Sequence, residues 1–538
     1  MNDEALFDRI ATRLDEMKNA RRPFEPYWEK ADQLCSDTSY VWIKEGKRIL
    51  QQSFDSTGML ALSYFVSGMK SLLVPKTEKW HRLRPVNPAL EVDDECLAYT
   101  DWVTNFLFKA RYSNQSRFNS EVDPFLKSIG KYGNAVWLTE DNIGYGIAYK
   151  AVSLWECYFA DNAFGQIDTL YRLFKLPARQ AVKRFGEEIT PEIKKIAKET
   201  PDKEVTILHA IEPNDNPSFE KLDKGGKKYA SFYVDLEAKK IFKKSGYDYF
   251  PYAVVRYETS EDSVYGIGPA QKAMAEILTA NEIAKTVLAS AQLASRPTIL
   301  LSDQANLADA GKLGTSGAIA YGMIGDDGKP LAVPMEYGAN LNISLEMQEK
   351  IREIIFQHFL VQLFRTLADQ NQQMTIPEVM ARKSEDASIL GPYADRISLE
   401  WLPNVITREI YIYNNYGLIP PVPAKLATKE GITIEFESPA IRLQQSETVE
   451  GILRTVESII PLTQIDQSVM DIIDAPEAAR YIAEFNSVPN KIVRSQKEVA
   501  ERSRQRQEAM QQNELLAAAP VVSQSLKSLS EAVKGGGM

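Results

Sequence analysis

The chain has 538 residues and a formal net charge of −10 at pH 7. This length exceeds what one hydrophobic core supports, and at roughly 150 residues per domain it predicts about three structural regions. Apolar residues make up 44% of the chain and charged residues 25%, which excludes wholesale disorder, collagen-like repeats and a coiled-coil rod. The acidic balance also opposes tight gripping of duplex DNA, because such binding depends on Lys and Arg contacts to phosphate.

Targeting and redox signals point to the cytoplasm of the cell that makes the protein. No apolar run approaches the roughly 18 residues of a membrane span. The first residues, MNDEALFDRIATRLDEM, predict an acidic amphipathic helix, whereas a secretory signal is basic and then apolar. Three cysteines, Cys35, Cys96 and Cys157, show no metal-ligand spacing and are interpreted as buried reduced thiols.

The first half of the chain predicts helices followed by strands. Residues 1 to about 35 are expected to be helical, and Ser53–Val74 forms a second helix that Ser53 or Asp55 caps and Pro75 ends. Two more helices are expected between 93 and 130. From Gly133 apolar and polar residues alternate in short runs, which is typical of strands. Residues 36 to 262 therefore predict a mixed α+β domain.

Two long helices are expected around a Gly-rich segment. The first begins at Gly268, has Pro269 at its first helical position and ends near Pro297, giving about 28 residues. The second begins at Ser344. The segment between them contains repeated glycines and one short strand-like run, Thr298–Leu301, so it predicts a compact insertion.

A polar stretch, Ala368–Met374, separates the second long helix from a third that begins at Pro377. This third helix is expected to break at Gly391-Pro392, to kink at Pro403 and to end near Tyr416. A linker, one strand at Thr433–Phe436 and further helices follow. The last residues, rich in Ala, Ser and Gln, predict a flexible tail.

The order of these segments, more than any single one, resembles a known family: the portal, or head-to-tail connector, proteins of short-tailed, podovirus-like bacteriophages. The resemblance covers residues 21 to 425. It is carried by these stretches: RRPFEPYWEKADQL, FDSTGMLALSYFVSGMKSLLVPKTEKWHRLRP, YGNAVWL, YFADNAFGQIDTLYRLFKL, SVYGIGPAQKAMAEILTANEIAKTVLASAQLASRPTILL and IPEVMARKSEDASILGPYADRISLEWL.

The resemblance implies an α+β, predominantly helical portal fold that assembles as a ring. Its implied parts are the wing (1–267), a stem helix (268–296), the clip (297–343), a second stem helix (344–367), the channel loop (368–376), a wing helix (377–424), the helical crown (425–509) and a flexible tail (510–538).

The implied function is a ring channel at the capsid vertex for genome packaging, tail attachment and DNA ejection. The implied partners are further copies of the chain in a homododecamer, the terminase packaging motor, a tail adaptor protein, the major capsid and scaffolding proteins, and double-stranded DNA. No membrane partner, cofactor or metal is expected. The protein is expected to assemble in the host cytoplasm and to reside in the virion.

Simple geometry agrees with a ring of twelve. Twelve stem helices at about 10 Å spacing give a circle roughly 38 Å across, measured between helix axes. Subtracting about 10 Å for the helices leaves a hole of roughly 28 Å. B-form DNA, on the order of 20 Å across, passes through such a hole with room for water. An acidic wall would lower sliding friction, because it repels phosphate.

Two groups of residues are candidate sites within that frame. Asp326, Asp327 and Lys329 are expected at the tip of the clip, where they would dock the motor and later the tail adaptor, although a solvated turn would look the same. The polar stretch after the second stem helix is expected to face DNA as a sequence-blind collar, or else is a plain surface turn. Its candidate residues are Asp369, Gln370, Asn371, Gln372 and Gln373.

Catalytic signatures are missing from the sequence. It contains no G-x-x-x-x-G-K-[ST] loop, so packaging energy must come from a partner. Gly266-Ile267-Gly268 begins like a dinucleotide-binding fingerprint but has Gln271 where a third glycine belongs, and we interpret it as a helix entry. The alternatives left open are another virion ring component, such as a tail adaptor, and a soluble helical enzyme whose carboxylates are brought together only by folding.

Overall fold

The computed structural model places the chain in two compact units. The first comprises Met1–Trp80, Phe106–Ile419 and Ser438–Ala440, and the second comprises His81–Asn105, Pro420–Glu437 and Ile441–Met538. The residues described are 3–35, 40–44, 47–50, 53–87, 90, 93–113, 115–142, 146–214, 226–261, 263–305, 307–313, 317, 319–335, 341–368, 376–427, 431–436, 449, 451–459, 461, 472–485, 498–499, 501–506 and 508–509.

Helices dominate the described chain. They are α1 (Asp3–Arg21), α2 (Glu25–Cys35), α3 (Thr57–Leu73), α4 (Asp94–Arg111), α5 (Phe118–Tyr132), α6 (Ala178–Phe185), α7 (Pro191–Glu199), α8 (Pro269–Lys272), α9 (Met274–Ser295), α10 (Leu341–His358), α11 (Val361–Ala368), α12 (Ile376–Asn415) and α13 (Ala475–Phe485). Residues 451–459 and 501–506 are also helical.

The strands form five antiparallel sheets. They are β1 (Tyr40–Lys44), β2 (Lys47–Leu50), β3 (His81–Pro85), β4 (Asn134–Asn142), β5 (Gly146–Val152), β6 (Cys157–Asp161), β7 (Ile167–Pro177), β8 (Glu204–Pro213), β9 (Tyr229–Asp235), β10 (Lys240–Tyr247), β11 (Tyr252–Arg256), β12 (Ile299–Leu301), β13 (Ala332–Pro334) and β14 (Ile432–Phe436). The largest sheet has the order β10-β9-β8-β7-β6, and a second has the order β11-β4-β5.

The five-stranded sheet is buried on both faces, because alternate residues of a strand point to opposite sides. On β8, Leu208 and Ala210 pack against the apolar side of α1. Ile207, on the opposite face, packs with α6 and α7. Ile211, on that same face, joins a cluster with Trp28 and residues of the second sheet. The N-terminal helix and the α6–α7 pair thus cover opposite faces of one sheet.

The outer strand β10 is lined with lysines that have partners in neighbouring segments. Lys240 binds Glu192 and Lys243 binds Glu188, both near α7, and Lys244 binds Asp3 at the start of α1. Charged side chains of this kind are a common protection of an open sheet edge. This edge of the sheet is therefore occupied by ion pairs.

The predicted α+β class and the order of elements from α1 to β11 are confirmed. The face of α1 expected from the sequence is buried through Leu6, Ile10, Leu14 and Met17. All three cysteines are free and buried, as expected. At the start of α3 the cap differs in detail, because Ser56 is the N-cap residue while the Asp55 carboxylate accepts a 2.8 Å hydrogen bond from the backbone N–H of Thr57.

The long helices differ from their predictions. The helix expected from Gly268 is one turn, α8, followed by α9, with Ala273 between them. This first turn is packed tightly, since a Cβ at Gly268 would lie 2.5 Å from the backbone nitrogen of Gly133. The expected break at Gly391-Pro392 is wrong, because α12 continues through Pro392 and Pro403.

The second long helix is broken where the sequence predicts continuity. Leu360, between α10 and α11, has a left-handed backbone with φ of 58°, which is unfavourable for a leucine. The flanking Phe359 is fully buried, and both Phe359 and Phe364 pack against the Phe65 ring with centroids 6.3 Å apart. Phe364 also fills the space that a side chain at Gly68 would need. Aromatic packing on α3 therefore stabilises the kink.

A buried ion pair joins distant parts of the first unit. Arg111 at the end of α4 donates to Glu409 of α12 in a two-pronged contact, with one bond of 3.0 Å and another of 2.5 Å, and both side chains are almost fully buried. Tyr149 of β5 donates a further 2.7 Å bond to the same carboxylate. The Arg111 guanidinium lies 4.5 Å from the Trp80 ring centroid. The charges are thus paired and their hydrogen-bonding capacity is used.

The second unit contains a small sheet in which β14 pairs with β3 in antiparallel register, from Ile432 opposite Pro85 to Phe436 opposite His81. Arg84 and Glu435, on adjacent strands, form an ion pair of 2.5 Å. This sheet confirms the strand predicted near residue 433 and gives it a partner more than 300 residues earlier.

Replacing Arg111 by Ala should lower the denaturation midpoint strongly, because Glu409 would be left as an unpaired buried charge. Such a loss typically costs about 3–5 kcal/mol. Urea denaturation followed by tryptophan fluorescence measures the effect. The matched control is Arg179→Ala, which removes an exposed pair with Asp202 and should change stability by less than about 1 kcal/mol. Equal effects of the two variants would contradict the assigned role of the buried pair.

Gly68→Ala should destabilise the packing of α3 on α11, because the new Cβ would lie 2.3 Å from Cγ of Phe364. The expected cost is about 1–3 kcal/mol, typical of overpacking, and thermal denaturation measures it. Adding Phe364→Leu should recover part of the loss. The control is Gly451→Ala, also in a helix but with no heavy atom within 4 Å of the new Cβ. It should be neutral or slightly stabilising; a similar loss there would rule out the steric explanation.

Candidate assembly interface

The second half of α9 is an apolar helix surface exposed to solvent in the single subunit. Only Met274, Ile277 and Ala280, near its start, are buried. From residue 286 to 295 the sequence TVLASAQLAS carries no charge, and Leu288 and Leu293 are 48% and 44% exposed. A helix without charged residues on its outer face is usually covered by another surface.

The neighbouring helix α10, which packs against α9, has the same character. It buries Ile351 and Ile355 towards the rest of the subunit, while Leu345, Met347 and Ile354 are exposed. Together α9 and α10 present apolar side chains on a surface of the first unit. We call the exposed apolar residues of these two helices the paired-helix surface.

A polar contact at Asp55 fixes these helices against α3. The Asp55 carboxylate, nearly fully buried, accepts a 2.8 Å bond from Nη2 of Arg352 on α10. Burial opposes ionisation, but the hydrogen bonds from Thr57 and Arg352 outweigh it and hold the pKa of Asp55 below its usual range. The backbone N–H of Phe54 donates to the Asn281 side chain on α9, at 2.8 Å. One short segment before α3 therefore holds both long helices.

The segment between α9 and α10 has very few buried apolar residues. Strands β12 and β13 pair in antiparallel register, with Leu300 opposite Val333. Among the described residues from 299 to 335, the buried apolar side chains are Ala305 and Met323. Many others are exposed: Leu300, Leu301, Leu307, Ile319, Tyr321, Ile324, Val333 and Met335. A two-stranded hairpin is marginal in water, so we expect this segment to gain stability from a further surface.

The candidate residues Asp326, Asp327 and Lys329 lie at an exposed turn in this segment. The backbone N–H of Gly325 donates to the carbonyl oxygen of Lys329 at 2.9 Å, and Gly328 has a φ of +78°, which a glycine adopts without strain. The Asp327 carboxylate accepts from the backbone N–H of Lys329 at 3.2 Å. The structure places all three residues on one hairpin turn, and their docking role stays a prediction.

The other candidate residues, Asp369, Gln370, Asn371, Gln372 and Gln373, lie outside the described residues. The structure shows their flanks, because α11 ends at Ala368 and α12 begins at Ile376.

The remaining sequence motifs have structural roles. Gly268 is the N-cap residue of α8, in agreement with a helix entry. His209 is buried between the Tyr252 and Ser231 hydroxyls at 3.0 Å each, and burial beside arginines lowers its pKa well below the usual value. In the described part of the chain no group of three His, Cys, Asp or Glu side chains is arranged to hold a metal ion. No helix there is long and apolar enough to cross a bilayer.

The sequence analysis missed a shallow groove on α9. The groove has a volume of about 400 Å³, and all its lining residues belong to this one helix: Leu278, Thr279, Glu282, Ile283, Thr286 and Val287. They recur every four residues and so share one face. This spacing is visible in the sequence, but it was interpreted as part of the apolar core.

Comparison with known proteins agrees with this arrangement. The family model described as bacteriophage head to tail connecting protein matches residues 8–493. The match therefore extends beyond the residues 21 to 425 over which the sequence resemblance was recognised.

Two curated relatives are similar over nearly their whole length. The portal protein of Salmonella phage epsilon15 is 24% identical over 97% of this chain and 95% of its own. The probable portal protein of Bordetella phage BPP-1 is 23% identical over 94% of this chain and 93% of its own.

Among solved structures, a chain from the neck of an empty GTA particle computed with C6 symmetry matches with a TM-score of 0.38 and 11% identity. It covers 74% of this chain and 86% of that chain. This likeness is too weak to carry an argument. The family match over most of the chain is sufficient: the chain belongs to the family of bacteriophage head-to-tail connecting proteins, and its function is that of a portal.

Proposed function

We propose that this portal subunit closes into a ring of twelve copies in which the paired-helix surface is buried against the neighbouring subunit. The observation that carries the proposal is the uncharged, exposed second half of α9. Repeated contacts between two different surfaces of one chain close into a ring when the rotation allows it. In a ring every copy covers its neighbour, so the apolar helices leave water without a second kind of protein.

The division of labour proposed for the ring follows the order of the chain. Residues 1–267 and 377–424 would be the wing, 268–296 and 344–367 the stem, 297–343 the clip, 368–376 the channel loop, 425–509 the crown and 510–538 a tail. The exposed apolar residues between α9 and α10 support a clip that is completed by neighbouring subunits.

The ring would serve as the channel at the capsid vertex through which double-stranded DNA enters and leaves. The terminase motor and, later, a tail adaptor would dock on the clip, while the major capsid and scaffolding proteins would contact the wing. The subunit is a structural component of a phage ring assembly with capsid and tail parts. The energy for DNA movement would come from the motor, and the ring would assemble in the host cytoplasm before it becomes part of the virion.

Leu288→Asp should abolish ring formation, because it places a charge in a buried apolar contact of every subunit interface. Purified parent protein should run as a particle of several hundred kilodaltons, since each subunit has a mass of 60.6 kDa, and negative-stain class averages should show a central hole. The variant should remain folded, as the side chain is half exposed in the subunit. The control is Lys198→Asp on the exposed side of α7, which should form rings. Parent averages without a hole would refute the proposal.

Deleting Gly325–Lys329 should leave rings intact but abolish DNA packaging or tail attachment, because the removed turn has no buried side chain. Packaging assays and electron microscopy of the particles measure the two outcomes. A triple alanine variant at Asp326, Asp327 and Lys329 separates the charges from the shape of the turn. Infectious particles at the parental yield from the deletion variant would disprove docking at this turn.

Changing Gln372 and Gln373 together to Lys should slow DNA translocation in a salt-dependent way, because added cations make phosphate contacts that salt weakens. Ring assembly and thermal stability should be nearly unchanged. Replacing the same two residues by Asn keeps neutral amides and serves as the control. A packaging rate equal to the parent at low salt would show that this segment does not face the genome.

A further inference from the structure

The turn between β6 and β7 holds an aromatic side chain rigidly in solvent. Phe164 is 89% exposed, the highest value among the large apolar side chains of the described residues. The Asn162 side-chain oxygen accepts from the backbone N–H groups of Phe164 and Gln166, at 2.9 and 3.1 Å. Gly165 takes a φ of +73° and donates its N–H to the carbonyl of Asn162 at 2.9 Å. The backbone is thus fixed although the ring has no cover.

A buried arginine anchors this turn to the rest of the first unit. Nη2 of Arg256 donates to the carbonyl oxygen of Gly165 at 2.9 Å and to the Glu400 carboxylate on α12 at 2.6 Å. Leu399, next to Glu400 on α12, is 67% exposed. Phe164 therefore cannot fold back without breaking a charge-assisted contact, and a second exposed apolar residue follows from the same anchor. We call Phe164 and its turn (residues 161–166) the aromatic knob.

The groove on α9 is complementary to this knob. Its volume of about 400 Å³ exceeds the roughly 150 Å³ that suffices to hold a benzene ring. Leu278, Ile283 and Val287 supply an apolar lining. The groove also continues into the paired-helix surface, because Val287 is followed directly by the exposed Leu288. Since Phe164 is exposed in its own subunit, a contact between knob and groove has to come from another molecule.

We infer that the aromatic knob of one subunit inserts into the α9 groove of the next subunit in the ring. This inference rests on the proposed ring. Knob and groove are different surfaces of one chain, so each subunit gives one knob and receives one, and the contact repeats until the ring closes. A large aromatic ring buried in an apolar pocket is a typical anchor of a protein interface. The contact would set the angle between neighbours, since the knob is rigid.

Cysteine cross-linking tests the contact directly, because the three native cysteines are buried. The double variant Phe164→Cys with Ile283→Cys, assembled and then oxidised, should give a ladder of covalent oligomers on a denaturing gel. Each single variant should give no ladder. The control double variant, Lys198→Cys with Ile283→Cys, carries an exposed cysteine on α7 and should remain uncross-linked. Negative-stain imaging of the same samples shows whether rings were present.

The outcomes separate this contact from the ring itself. Rings without a ladder, or an equal ladder in the control, would overturn the inference and leave the proposed ring standing. Absence of rings in the parent protein would overturn both. If the cysteine pair disturbs assembly, Phe164→Ala decides: it should reduce the fraction of protein in rings at least tenfold near the assembly threshold, with an unchanged thermal midpoint. An unchanged ring fraction would place the knob outside the interface.

Discussion

An apolar helix that its own subunit does not cover is the constraint on which the rest of this structure depends. The first turns of α9 pack inside the subunit, but from residue 286 onward the helix has neither a charge nor a packing partner among its exposed leucines. Removing such side chains from water stabilises by about 25 cal/mol for each Å² of apolar surface. The subunit alone forgoes this stabilisation, so its lowest free energy belongs to an assembly.

An assembly of identical subunits needs rigid parts, because a small error in one angle accumulates around a ring. Three buried polar contacts supply the rigidity in the first unit: Arg111 with Glu409, Arg256 with Glu400, and Asp55 with Arg352. Two of them hold α12 and the third holds α10. Such contacts are directional, unlike apolar packing, and therefore fix how an element is oriented as well as where it lies.

Periodicity was a good guide to the elements that bury one side. The helices α1 to α5 and the strands from β4 to β11 were predicted in the correct order, because apolar spacing reports burial within the subunit. The break at Leu360 could not be predicted in this way, since it depends on the packing of Phe359 and Phe364 against α3, almost 300 residues earlier. The continuity of α12 was also missed, because prolines usually end helices and here tertiary packing overrides that preference.

The candidate interface was predictable in part. Glycines and acidic residues identified the turn at 325–329, since turn chemistry is local. The exposed face of α9 was visible only as apolar spacing, which does not distinguish a buried core from a surface reserved for another subunit. Phe164 carried no signal at all, because its exposure follows from the anchor that Arg256 provides to the turn.

The lysine-lined strand β10 has a consequence for how free subunits behave before they meet. An open sheet edge recruits other strands without limit and leads to filaments, whereas Lys240, Lys243 and Lys244 carry their own acidic partners there. Subunits made in large numbers in one cell would thus be prevented from aggregating along this edge. Growth is left to surfaces that close on themselves, so the particle has a finite size and every copy ends with the same number of neighbours.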